Sequence, residues 1–494
     1  MVTGRAAHSL AGGSVAGSTG SSDAGDEESV GYIVERFTDE ERARLSPYVS
    51  NLDRPVFVLR SLPQVTAAAL FARYSRSPKS LRRLLLDEFL STSEDYQGAT
   101  GAAGRERASD LFGRVLAEYG DDSVAQLAGV HLACEQVSQP LAKAIEWGRL
   151  AAYLEQSTRY IPYTDRRHGS YRYRRDPGIL SSRHGPAYVA AMDGLFDTYC
   201  ALLDPLQTHL HAKLPASDNE KARRRAVRAL VLDLLRGLLP AGTVSNVGVF
   251  ATPQALEQMV LRLRAHTLPE ARSYAELIDG ELQREIPEFL TRLDRPDRGG
   301  VWVEYLRERA AALEEASQGG GARGAPLSPA GHTSSGVRLV NWDRDGEERI
   351  IAAALFPASG LPFESLLDVA SSLSATERER VFAAAVGERR NRRHRPGRSF
   401  EHSSYTFEVV SDYGAFRDLQ RHRLLTIEWQ ELTPALGFEV PDAVDEAGLA
   451  PAWKQAVAEA EQVFERMREE MPAQASYLVT LGHRIRYVLK VNAR

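Results

Sequence analysis

The chain has 494 residues, 43% of them hydrophobic and 26% charged, an ordinary composition for a globular protein. Its formal net charge of −5 supplies no global basic field for nucleic acid or an anionic membrane. The two cysteines, Cys134 and Cys200, fit neither a disulfide framework nor a metal cage, so no metal is expected and a reducing cytoplasm is the expected location.

In chain order, residues 1–30 are rich in Gly, Ser, Ala and Asp and read as a disordered tail. Apolar periodicity predicts helices over 80–90, 188–203, 219–238 and 254–264. A weak apolar strand is expected over 130–134, and a clear alternating one over 405–409, with Tyr405, Phe407 and Val409 on one face. The stretch SQGGGARGAPLSPAGHTSSG (317–336) reads as a linker dividing a first half, 31–316, from a second, 337–494. Both halves mix helices with short strands, so the expected class is α/β, of the mixed α+β kind. No apolar run approaches the roughly 20 residues of a membrane span, and the first residues lack the apolar core of a signal peptide.

Two segments carry candidate chemistry. In the second half, EHSSYTFEVVSDYGAFRDLQRHRLLT (401–426) groups Arg421, His422 and Arg423. Two guanidiniums flanking an imidazole suit a diphosphate or an electron-rich ring, although an isolated tripeptide of this kind is usually a solvated basic turn. In the first half, YLEQSTRYIPY (153–163) spaces Glu155, Ser157 and Arg159 so that a hydroxyl and a charged fork can reach one phosphate. Alone, it reads more readily as a capped helix end with a surface ion pair.

Taken together, the segments resemble the flavin-dependent thymidylate synthases (ThyX), whose signature is RHRxxSxxxxSxRY with Glu two before the second Ser. RHRLLTIEWQELTP (421–434) keeps RHR, has Thr426 at the first Ser, and replaces the end with Glu431, Thr433 and Pro434. WGRLAAYLEQSTRY (147–160) loses the start but keeps Arg149, Glu155, Ser157, Arg159 and Tyr160. Each half lacks what the other retains. TAAALFARYS (66–75) also resembles IAAALFPASG (351–360). A fused tandem duplication with one composite site is therefore expected, each half carrying a small sheet flanked by helices.

The resemblance extends further. LRGLLP (235–240) is similar to the family's ARxxLP, whose Arg binds nucleotide, which brings in Arg236. Glu401-His402 before YTF is similar to the Glu-His pair near flavin, and VNAR supplies Asn492 and Arg494 in the place of a flavin-holding Asn-x-Arg. Arg264 holds the position of a pyrimidine-contacting Arg. The family's Gln three before RHR is Asp418 here, and the sequence stops at Arg494, where the family continues into a helix.

The resemblance implies FAD as cofactor, dUMP or a related pyrimidine nucleotide as substrate, and NADPH and methylenetetrahydrofolate as co-substrates. It assigns Glu155, Ser157, Arg159, Arg236, Arg264 and Arg421 to the nucleotide, with Arg264 and Arg421 catalytic through the charge developing on the pyrimidine. His402, Arg421, His422, Arg423, Asn492 and Arg494 fall to the flavin. A homodimer imitating a family tetramer is expected. The alternatives are a non-catalytic flavin or nucleotide binder, a C5 modifier of another pyrimidine nucleotide or of RNA, or a nucleic-acid interaction protein using the basic segment 389–398. Two features stand outside this scheme, the Arg-rich 389–398 (RRNRRHRPGR) and YRYRR (171–175), which interleaves aromatics with Arg as single-strand binders do.

Overall fold

The computed structural model describes residues 35–75, 77–90, 126–215, 219–319 and 335–494. The tail read over 1–30 and most of the linker, 320–334, lie outside the described residues. By internal contacts the chain divides into a unit of residues 1–124 and a unit of residues 125–494. In the first, Thr38 caps the helix Asp39–Leu45 in a reciprocal box with Glu41. The helix Gln64–Tyr74 buries Ala68, Ala69 and Leu70. Residues 80–90, expected as one helix, form an α-turn Leu81–Leu84 that widens into a π-turn Leu85–Phe89.

The second unit contains two antiparallel sheets, so the mixed helix-and-strand class holds. The first sheet has strands β1 (Val130–Val137), β2 (Ala151–Glu155) and β3 (Ser245–Ala251) in the order β1-β3-β2. Strict alternation makes β3 the central strand: Ser245, Val247, Val249 and Ala251 are buried and the residues between them exposed. The second sheet has β4 (Gly336–Trp342), β5 (Ser404–Asp412), β6 (Thr426–Trp429) and β7 (Arg484–Asn492) in the order β4-β5-β7-β6. The helix Val301–Gly319 runs into the segment read as linker from Ser317. The other expected helices appear as Gly185–Lys213, Glu220–Leu235 and Pro253–Ala265.

The two halves share an element order. β1, the helix Gln139–Ile145, β2, three helices, a 3-10 turn and β3 are matched by β5, the helix Tyr413–Gln420, β6, three helices (after an additional 3-10 turn), a 3-10 turn and β7. The core strand orders β1-β3-β2 and β5-β7-β6 are the same.

The halves meet in a reciprocal backbone crossing. Ala241 N–H donates to Val479 O at 2.7 Å and Leu481 N–H to Leu239 O at 2.9 Å. Gly242 N–H donates to Tyr477 O and Gly482 N–H to Gly237 O, both at 2.8 Å. Each bond becomes its partner when the two segments exchange roles, the mark of a local two-fold. Two glycines permit this approach: a Cβ on Gly482 would stand 3.0 Å from Gly237 O, and one on Gly237 would stand 2.9 Å from the ring of buried Trp453. Each helix following β1 or β5 hangs from the crossing by an equivalent bond, Gln139 N–H to Ala241 O and Gly414 N–H to Leu481 O, both 2.9 Å. Residue 139 therefore corresponds to 414, and 143 to 418.

Gly482→Val should destabilise the protein by about 1–3 kcal/mol, since the added methyls meet backbone that cannot move aside. Urea denaturation checks this; an unchanged midpoint would show that the crossing is not tightly packed.

Candidate nucleotide cleft

β2 ends at Glu155, where the chain leaves the sheet and turns through Ser157–Tyr160. The turn closes locally, with Ser157 Oγ accepting from Arg159 N–H at 3.2 Å. Opposite stands the last turn of the helix Tyr413–Gln420 and the residue after it, Arg421. Together these segments line a cleft of about 190 Å³, which includes Glu155, Ser157, Arg159, Arg236, Arg417, Asp418 and Arg421. The residues expected on the nucleotide side of both halves thus share one cleft within one chain, Arg264 excepted.

At its floor lies a buried ion cluster. Glu155, 6% exposed, takes a hydrogen bond from Arg417 on the other half, itself 5% exposed. Lys143 Nζ approaches the second carboxylate oxygen of Glu155 at 3.3 Å and also pairs with Glu146. Gln420 Nε2 donates to Lys143 O at 3.2 Å. Burial drives the Glu155 carboxyl up, but Arg417 and Lys143 outweigh it and hold the pKa near 2. For Glu146 burial prevails over Lys143, and its pKa is raised. The Glu155 carboxylate, expected to accept from a nucleotide, is thus occupied in joining the halves.

The mouth is richer in cations. Arg159 pairs with Asp233 at 2.9 Å, and Arg236 lies 3.2 Å from Asp233 and 3.9 Å from Asp418. Asp418 also pairs with Arg421. Asp418, at the family's Gln position, therefore faces the cleft and holds two of its arginines. Four guanidiniums line the cleft against the carboxylates of Glu155 and Asp418, and counting Asp233 still leaves an excess of about one positive charge.

The other expected site residues lie elsewhere. His422 and Arg423 line a neighbouring cleft of about 470 Å³ with Arg149 and Thr426; there Arg149 donates to Thr426 Oγ1 at 3.2 Å and to Leu425 O at 3.3 Å. His402, Asn492 and Arg494 gather where β5 and β7 meet, Ser404 pairing with Asn492. There Arg494 pairs with Glu401 at 2.8 Å and donates to Pro396 O at 3.1 Å, while the His402 ring packs on Phe363 at 5.7 Å. Arg264 lines a different cleft, its guanidinium held by Glu276, Asp279 and Asp294 at 2.6–2.9 Å. Sequence reading missed Arg417, Lys143 and Asp233. A lone Lys within the apolar helix QPLAKAI, and an Arg one turn before Arg421, were the available signals.

The chain belongs to the Thy1 family, described as thymidylate synthase complementing protein, which it matches over residues 63–288 and 338–494. Among its relatives, a protein of Chlamydia muridarum is 36% identical over 468 residues, covering 93% of this chain and 87% of its own. A Thermoplasma acidophilum protein is 29% identical, with 87% and 86% covered. Both are named only as UPF0159 proteins. Among solved structures, the flavin-dependent thymidylate synthase ThyX of Helicobacter pylori, complexed with FAD and dUMP, is 16% identical. It covers 46% of this chain and 94% of its own, at a TM-score of 0.24. Among the described residues no helix is long and apolar enough to cross a membrane.

Arg417→Met should cost about 3 kcal/mol, because it leaves Glu155 buried with Lys143 alone; pairing it with Glu155→Gln should cost less than the sum of the two single changes. A depressed carboxyl pKa stabilises the fold fully above its ordinary value of 4.5 and loses that contribution as the pH falls towards about 2. The urea midpoint should accordingly fall over that interval in the native protein and fall less steeply in Glu155→Gln.

Proposed function

We propose that this protein is an FAD-dependent thymidylate synthase-like enzyme. In this reading it is built from two fused family halves, 31–316 and 337–494, and methylates C5 of dUMP using methylenetetrahydrofolate and NADPH. The observation that supports it best is the cleft itself: the Glu155–Tyr160 turn of one half and Arg417–Arg421 of the other line a single space. The matched element and strand orders favour duplication as its origin.

Arg159, Arg236 and Ser157 would bind the phosphate. A dianion entering there takes over contacts that Asp233 and Asp418 now make, exchanging each carboxylate–guanidinium pair for a phosphate–guanidinium one. Arg421 would lie at the pyrimidine edge and oppose the negative charge that develops as C5 becomes nucleophilic. Arg264 would have to leave three carboxylates to serve there, so the reading rests on Arg421.

The donors at the β5–β7 corner and beside it fit a flavin dinucleotide in kind. Arg423 and Arg494 supply guanidiniums for a diphosphate, and His402, His422 and Asn492 supply ring and amide groups. Bound FAD would supply the redox chemistry of the methyl transfer, while these residues hold and orient it.

A homodimer is part of the proposal. Strand β4 is a sheet edge whose seven residues are all exposed, among them Val337, Leu339, Val340 and Trp342, and a second copy would cover them. A second reading, nucleotide or flavin binding without turnover, is favoured by the ion pair that ties Arg421 to Asp418.

Arg159→Ala should weaken dUMP binding by about 1.5–3 kcal/mol, the loss of a charge-assisted contact. Asp418→Asn should tighten it by freeing Arg421 and Arg236. Calorimetric titration of dUMP checks both, and unchanged affinity in Arg159→Ala sinks the assignment. Titrating FAD-loaded protein with dUMP, followed by NADPH oxidation, separates the readings: a perturbed flavin band with turnover supports the enzyme, and a perturbed band without turnover the binder.

A further inference from the structure

The YRYRR run, which the proposed chemistry leaves unused, lines a cleft of its own. This cleft, of about 560 Å³, lies at the end of the first sheet, and its volume is that of a small-molecule site. Arg167, Arg172, Arg174, Arg175 and His168 line it, and among the described residues no carboxylate does. Gln156 lines both this cleft and the first one.

The backbone is shaped to present these groups. Arg167 and Ser170 exchange backbone hydrogen bonds at 2.8 and 3.1 Å around His168 and Gly169, whose φ values are +50° and +80°. That is a two-residue hairpin turn, and it carries Arg167 and His168 at its tip. On the facing strand the β1–β3 register slips between Cys134 and Val137, and Gln136 takes a φ of +57°. A bulge bearing a left-handed non-glycine residue is a costly feature that commonly re-aims side chains beside a binding site.

The charge is only partly neutralised locally. Asp165 serves two of the four guanidiniums, Arg172 at 2.8 Å and Arg167 at 3.4 Å. Arg174 comes only within 3.8 Å of Glu270 and 3.9 Å of Asp176, and its buried Nε has no hydrogen-bond partner among the described residues. The Glu270 carboxylate is already taken by Ser138 and Tyr477. Arg175 donates to the hydroxyls of Ser170 and Tyr173 at 3.2 and 3.3 Å. Counting Asp165, Asp176 and Glu270 against the four guanidiniums leaves about one positive charge, and forks spread along the cleft give a diphosphate more partners than a single phosphate. The amide groups of Gln136, Gln156 and Asn246 and the ring of Tyr274 line the rest of the cleft, and these can meet a base.

We infer that this cleft is a second nucleotide site, which takes a nucleoside diphosphate or the diphosphate end of a dinucleotide. It deepens the proposed function by giving the co-substrate a place beside the first cleft. The test is calorimetric titration of the full chain, with dUMP saturating, by ADP, inorganic pyrophosphate, adenosine and an oligouridylate. The same titrations are made on the double variant Arg167→Glu/Arg175→Glu, whose substituted side chains are at the surface.

ADP and pyrophosphate should bind the native protein, with adenosine weaker. The variant should lose about tenfold or more in affinity for both while keeping its affinity for dUMP. Three results overturn the inference: no binding of ADP or pyrophosphate at millimolar concentration, equal binding by the variant, or binding of the oligouridylate alone. Failure to bind dUMP would count against the proposed function only, because pyrophosphate binding is read independently.

Discussion

The crossing of Gly237–Gly242 with Tyr477–Gly482 is the constraint on which the candidate cleft depends. Four backbone hydrogen bonds, made in two reciprocal pairs, fix one half against the other without any side chain having to be specific. Backbone bonds of this kind must be made somewhere once buried, and here they are made across the two halves. The helices Gln139–Ile145 and Tyr413–Gln420 hang from the same segments, so their ends are placed by the crossing. The cleft forms where one of these helix ends meets the turn after β2.

Glu155 then secures what the crossing places. A carboxylate this deeply buried is tolerated only when paired, and its partners come one from each half, Lys143 from its own side and Arg417 from the other. The cluster works as a register pin: sliding one half by a residue would leave Arg417 buried without its carboxylate and Glu155 with Lys143 alone. Tyr477 and Glu270 make a smaller joint of the same type, at 2.8 Å, between the second half's 3-10 turn and the helix Pro269–Glu285. The arginines nearer solvent are paired less deeply, at Asp233 and Asp418, where a ligand can compete for them.

Much of this was legible in the sequence because local rules sufficed. Alternation gave β5, periodicity gave the long helices, and a contiguous Glu-x-Ser-x-Arg had to share one turn wherever it lay. The meeting of that turn with Arg421 was legible only through the resemblance and the way the two motifs complement each other. What could not be read was pairing at long range. Nothing local in Arg417 says that it lies against a residue 262 positions away, or that Glu155 is a joint between halves. Arg264 looked free for a ligand because its three carboxylates come from separate points, Glu276, Asp279 and Asp294. The cleft at YRYRR was hidden for a similar reason: that Asp165 and Asp176 stand behind its arginines and outside its lining is a property of the fold.

The i,i+3 ion pairs at the two helix ends differ in one respect that a symmetric assembly forbids. Lys143 with Glu146 and Asp418 with Arg421 occupy corresponding positions, and their signs are reversed. In a dimer of identical chains every substitution is made twice, and a lysine at one position means a lysine at its mate. Two halves on one chain escape that rule, and each member of a matched pair is free to change alone. One end has its lysine turned inward against Glu155, while the other has an arginine at the mouth of the cleft, held by Asp418. In the proposed duplication, symmetry would set up the frame and covalent linkage would free its two ends to differ.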